Sequence, residues 1–203
     1  VDQNNDDFYR FDVELSDRET FFIGKIVALW GALEHEVFTQ TLIKICPVDA
    51  ENAAVPKKMN NAQFSEVLKL WKSNILDKAN GENAESLKQQ YEEILRLSDF
   101  RNALIHGMWD WHRAKPAMIS TVRVHKDKLI RTHFTVDDLA NFCDRLGRLN
   151  FKIRYPGGAE DLVRERMEDG GFHISRRGAS LMLGDPIAEE LFLTPTSASK
   201  TSE

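Results

Sequence analysis

In four separate stretches of this chain the apolar residues recur three and four apart, the spacing that turns one face of an α-helix toward a core. The first opens at a capping box, Ser16 with Glu19 three residues later. It carries Ile23, Ile26, Trp30, Leu33 and Val37 to about Cys46, where Pro47 stops it. The second, about Asn61 to Ala79, aligns Phe64, Val67, Leu68, Trp71 and Ile75 and ends at Asn80 and Gly81. The third, about Asn83 to His106, aligns Leu87, Tyr91, Ile94 and Leu97, and Gly107 is read as its stop because glycine tolerates positive φ. The fourth starts at Thr135 with Asp138, carries Leu139, Phe142, Leu146, Leu149 and Ile153, and halts before Pro156-Gly157-Gly158.

Between the last two helices the period changes to two. Ile119, Thr121, Arg123 and His125, then Lys128, Ile130, Thr132 and Phe134, alternate around Lys126 and Asp127, which predicts a β-hairpin over about 117–134. The expected fold is therefore all-α, an antiparallel four-helix bundle with that hairpin inserted before the last helix. An acidic N-terminal segment (1–15) precedes the helical domain (16–155). A C-terminal extension (156–203) follows, partly irregular, with a short helical piece around Asp161 to Met167 and a polar tail from Leu193. The sequence shows no internal repeat.

At 203 residues, 42% of them apolar, the chain can build one good core with appendages, hardly two full domains. No membrane span is expected, since the richest apolar stretch, Phe21 to Leu33, is broken by Lys25 and two glycines. The acidic opening residues do not read as a secretory leader. Cys46 and Cys143 lie far apart on apolar helical faces and without metal-type partners, which suits buried free thiols in a reducing, cytoplasmic setting.

The net charge of −5 argues against generic coating of nucleic acid. Its distribution is uneven. Residues 2–17 hold six acids against Arg10, whereas Arg113 to Arg131 holds six Lys or Arg against Asp127 alone. That basic run can hold a phosphate backbone or can be an ordinary solvated hairpin.

The chemistry concentrates between Leu97 and Trp109. On an ideal helix Asn102 lies about 100° and His106 about 140° around the axis from Arg101, so three phosphate-capable side chains share one side. Arg101 is bracketed by Leu97, Leu104 and Ile105, which puts a charge where a core residue belongs. A planar guanidinium suits bidentate grip on phosphoryl oxygens, an imidazole moves protons near neutral pH, and Asn102 can orient either group. The structural alternative pairs Arg101 with Glu34 of the first helix and leaves His106 to satisfy the last helical carbonyls. Trp109, Trp111 and His112 can stack bases or pack the root of the hairpin. No metal or cofactor site is expected: the histidines lack Cys partners or a helical His-x-x-x-His pair, and glycine-rich phosphate loops and a Gly-x-Ser-x-Gly elbow are absent.

A helical chain with Leu33-Glu34 in a long first helix and Arg101-Asn102-Ala103-Leu104-Ile105-His106-Gly107 at a later helix end resembles the HEPN superfamily (higher eukaryote and prokaryote nucleotide-binding domains). The signature is an Arg followed after four to six residues by a His, often with a polar residue after the Arg, and the resemblance covers about Ser16 to Arg154. It implies a bundle that homodimerises so that two motifs face each other across a cleft. In active members the cleft is a metal-independent endoribonuclease. On that basis Arg101, Asn102 and His106 are the expected catalytic residues, and Glu34, Trp109, His112 and Arg113 the candidate substrate contacts. Partners implied are RNA or a nucleotide and, for a toxin or defence role, an antitoxin-like protein. Some relatives carry a Tyr two positions after the His that a nucleotidyltransferase modifies; Met108 stands there, which speaks against that regulation. The competing class is a non-catalytic HEPN-like module that binds a nucleotide, RNA or protein in the same cleft.

Overall fold

The capping box forms as read. In the computed structural model the Ser16 hydroxyl accepts the Glu19 N–H at 3.3 Å while Glu19 Oε2 accepts the Ser16 N–H at 2.7 Å, satisfying donors that the first helical turn leaves orphaned. From that start α1 runs over Asp17–Ile45 and buries Ile26, Trp30, Leu33 and Val37 on one seam. It is followed by α2 (Phe64–Asn74), a 3-10 turn (Leu76–Lys78), α3 (Gly81–His106) and, after a sheet, α4 (Val136–Arg154) and α5 (Ala159–Glu168). The structure describes residues 13–46, 55–125 and 127–168. The acidic segment before residue 13, Pro47, Lys126 and the polar tail from Leu193 lie outside the described residues.

The second helix is shorter than the period suggests, because its backbone tightens into the 3-10 turn after Ile75. Gly81, at φ +63, opens α3 rather than closing the helix before it.

The chain divides after Pro156 into two compact units. In the second, Asp161 Oδ2 accepts the Gly157 N–H and α5 follows Gly158 at φ +75. The first unit holds the core, with Leu33, Val37, Trp71, Ile94, Leu104, Phe134, Leu139 and Leu146 all buried.

Contacts along the helices give their directions. Trp30 meets Phe64 and Gln40 meets Trp71, so α1 and α2 run the same way. Cys143 Sγ reaches Phe22 O and Asn150 Nδ2 reaches Leu29 O, so α4 also runs parallel to α1. Only α3 opposes them, as Glu93 pairs with Arg145 and Phe100 stacks on Phe142. The expected all-α antiparallel bundle is therefore corrected in two respects. The long connection from Cys46 to Gln63 lets α2 begin beside the middle of α1, where Phe64 meets Trp30, and run parallel to it. The fold is also mixed: among the described residues five α-helices accompany a three-stranded antiparallel sheet.

That sheet contains the predicted hairpin, as β2 and β3, and adds a strand to it. Strands β1 (Met108–His112), β2 (Lys115–His125) and β3 (Lys128–Phe134) form a meander in the order β1-β2-β3. Trp109 faces Thr121, Trp111 faces Ile119, and Ile119 in turn faces Phe134. Cross-strand partners share a face, so Trp109, Ile119, Thr121 and Phe134 form the inner one. Phe100 of α3 fastens it, with its ring 4.9 Å from Phe134 and 4.8 Å from Phe142. Asp127 turns β2 into β3 at φ +61, a conformation Asp tolerates better than most residues.

Gly107 corrects a second expectation. Its backbone is extended, φ −87 and ψ 151, so positive φ is not what demands glycine. Space is: a Cβ there would stand 2.8 Å from Ala103 O and 2.9 Å from Thr121 Oγ1, with Thr121 Cβ closer still. The bare backbone lets α3 pass directly into β1 while pressed against β2.

Candidate functional site

The three residues singled out at the end of α3 come together. Arg101 Nη1 lies 3.1 Å from His106 Nε2 and donates to Asn102 Oδ1 at 3.2 Å. Helix geometry allows this because Cβ bonds tilt toward the N-terminus, so the ring of His106 leans back over the turn that Arg101 opens. Arg101 and Asn102 are half-buried, and His106 is exposed. A guanidinium offers only donors, so a hydrogen bond across this contact uses Nε2 as the acceptor. His106 is also the last residue of α3, where carbonyl dipoles point outward.

A residue read only as core completes the arrangement. The guanidinium of Arg101 stands over the indole of Trp30, with Cζ 5.7 Å from the ring centroid. Trp30 is buried and held from two sides. Phe64 meets it edge-on at 5.6 Å, and its N–H donates to Glu34 Oε1 at 2.6 Å. The expected structural partner of Arg101 is thereby occupied within its own helix. Among the described residues Arg101 makes no ion pair, with Glu34 or any other carboxylate. The one signal in the sequence for such a neighbour is the position of Arg101 itself, on a face where Leu97 and Leu104 are buried.

The other candidate contacts do not gather around this trio. Glu34 faces the indole N–H. Trp109 packs against the core from the inner sheet face, whereas Trp111 remains 44% exposed. His112 ends β1, about 13 Å along the strand from Met108, and accepts the Ala114 N–H on Nδ1 at 3.2 Å. Arg113 follows it in the exposed β1–β2 turn. The basic run is likewise divided: Arg113 and Lys115 lie at one end of the sheet, Lys128 at the other, and Arg131 pairs with Asp110 at 3.5 Å on the outer face.

Hollows lie elsewhere. One of about 450 Å³ between α3 and α4 is lined by Glu93, Arg96, Arg145 and Arg148, and there Arg145 already pairs with Glu93. Among the described residues no group of three or more His, Cys, Asp or Glu side chains stands ready to hold a metal ion, and no helix is long and apolar enough to cross a membrane. Both cysteines are free thiols, and burial pushes the thiol of Cys143 up from its ordinary pKa.

Comparison with protein-family models, with curated proteins and with solved structures returns no match. The functional argument rests on the residues and their geometry.

Proposed function

We propose that this chain is a metal-independent endoribonuclease of the HEPN type, acting in the cytoplasm as a homodimer whose two α3 ends meet across a shared cleft. The observation that carries the reading is the 3.1 Å approach of Arg101 to His106 Nε2 at an exposed helix end. Phosphate and imidazole compete for the same guanidinium. When an RNA phosphate takes the planar fork of Arg101, Nε2 is released and its lone pair becomes available as a base.

The released Nε2 takes the proton of the neighbouring 2′-OH, the 2′-oxygen bonds to phosphorus, and the bond to the 5′-oxygen breaks. A second copy's His106, in its protonated form, supplies the proton that the leaving 5′-oxygen needs. Arg101 meets the negative charge that grows on the phosphoryl oxygens, and Asn102 holds the guanidinium in line. The products are a 2′,3′-cyclic phosphate and a free 5′-hydroxyl.

The test is cleavage of mixed RNA by pure protein in excess chelator, with end-group analysis, repeated with His106→Ala. Cyclic phosphate ends that vanish in the variant support the reading. Cleavage abolished by chelator, or untouched by the substitution, overturns it. RNA binding without any cleavage leaves the competing assignment, a non-catalytic module using the same surface.

A further inference from the structure

The sheet brings a second guanidinium to the end of α3. Met108 is opposite Val122, and one further step in that register sets Arg123 opposite Gly107, the extended residue that follows His106. Alternation puts Arg123 on the face of Ile119 and Thr121, which are 4% and 1% exposed, and that face rests on α3. Thr121 marks the approach, since its Oγ1 lies 2.9 Å from where a Gly107 Cβ would stand. Arg123 is two residues, or about 7 Å, further along β2. Strand β1 begins only at Met108, so no β1 residue flanks Arg123 on that side.

Both side chains are unfinished. Thr121 Oγ1 and Arg123 Nε are buried without a hydrogen-bond partner, and among the described residues the Arg123 guanidinium enters no hydrogen bond or ion pair. In this unit Arg131 is paired with Asp110, Arg145 with Glu93 and Arg148 with Asp144, whereas Arg101 and Arg123 at the end of α3 make no ion pair among the described residues. A half-buried cation that gives up water and receives nothing in return is unfavourable in the empty protein, and an anion reverses that sign. Arg123 as a whole is only part-buried, so a ligand can reach it.

We infer that Arg123 is a second phosphate contact, holding the phosphate next to the one taken by Arg101. The site then engages two consecutive phosphates of a single RNA strand and distinguishes a strand from a mononucleotide. Thr121, wedged against Gly107, positions the strand segment that carries Arg123. The inference rests on the RNA-cleaving reading above, which supplies the class of ligand.

The experiment titrates a fluorescent, cleavage-resistant 2′-O-methyl oligoribonucleotide of mixed sequence into the full chain over a range of salt, for the native protein, Arg123→Gln and Arg123→Lys. Losing one charged hydrogen-bonding contact lowers affinity by about tenfold or more and makes the slope of log K against log salt shallower by about 0.7 in Arg123→Gln. Arg123→Lys keeps the slope and loses part of the affinity, because an ammonium retains the charge without the fork. Native slope and affinity in Arg123→Gln overturn the assignment of Arg123 and leave the nuclease reading intact. A Lys variant as shallow as the Gln variant marks a purely structural role and overturns it too. A native protein that does not bind the strand overturns both.

Discussion

Arg101 stacks its guanidinium over the face of Trp30, Cζ 5.7 Å from the ring centroid, and this contact explains how a charge occupies a core-facing position on α3. The negative face of the indole accepts the cation, and the stem of Arg101 continues the apolar surface between Leu97 and Leu104. Trp30 therefore aims the clamp from a helix that contributes nothing else to the trio.

Substituting Trp30 separates aiming from packing. Trp30→Phe keeps an aromatic face under Arg101 and leaves Glu34, which is half-exposed, to water. Trp30→Leu keeps an apolar side chain and removes the face. A cation–π contact of about 0.5–2 kcal/mol translates into a loss of cleavage of roughly two- to thirtyfold beyond that of Trp30→Phe. Rates measured at equal folded fraction check it; equal losses in the two variants would show that Trp30 serves packing alone.

Arg101→Lys tests the fork. The charge persists, but bidentate grip and the simultaneous reach to Asn102 and His106 are gone. Removing a preorganised donor of this kind costs about 10²–10³ in turnover. Because Arg101 has no ion pair among the described residues, the thermal midpoint is expected to stay within a few degrees of the native one. Single-turnover cleavage beside a melting curve decides the matter, and near-native turnover would remove Arg101 from the chemistry.

Gly107 offers a test in which two accounts of one glycine diverge. If positive φ were the requirement, Gly107→Asn would be the tolerated substitution, since Asn visits the left-handed region readily. With φ −87 and Ala103 O only 2.8 Å from the added Cβ, Asn and Ala both collide. Each is expected to cost about 1–3 kcal/mol, the usual range for overpacking. Urea midpoints read it directly, and an Asn variant as stable as the native chain would reject the steric account.

How much of this was legible follows the range of the interactions. The capping boxes at Ser16 and Thr135 and the seam from Leu139 to Ile153 are set by residues three and four apart, and each stands where the sequence puts it. The meeting of Arg101, Asn102 and His106 is legible for the same reason, as it happens within two turns of one helix. Strand β1 escaped because α3 enters it through a single extended residue, with no turn signal between. The parallel run of α1, α2 and α4 depends on how long connections close, which no local period encodes. Trp30 beneath Arg101 and Arg123 beside Gly107 are likewise products of chain crossings rather than of spacing.

The start of α4 provides a pH-dependent test that leaves the site untouched. Asp138 Oδ2 accepts both the Thr135 N–H at 2.8 Å and the Thr135 hydroxyl at 2.7 Å. The backbone bond first, then the hydroxyl, holds its carboxyl below the usual carboxylate range. A pKa lowered by folding means that the unfolded chain binds the proton more readily, so the charged form contributes stability that is fully present above about pH 4. That contribution is lost as pH falls through the lowered folded value. Asp138→Asn keeps an acceptor oxygen and removes the charge, so native protein should exceed the variant in urea midpoint at neutral pH. The gap should close in acid. Thr135→Ala, which deletes the cap itself, is expected to cost about 1 kcal/mol at neutral pH. A gap between native and Asp138→Asn that widens below pH 4 would reverse the sign and refute the assignment of that charge to the cap.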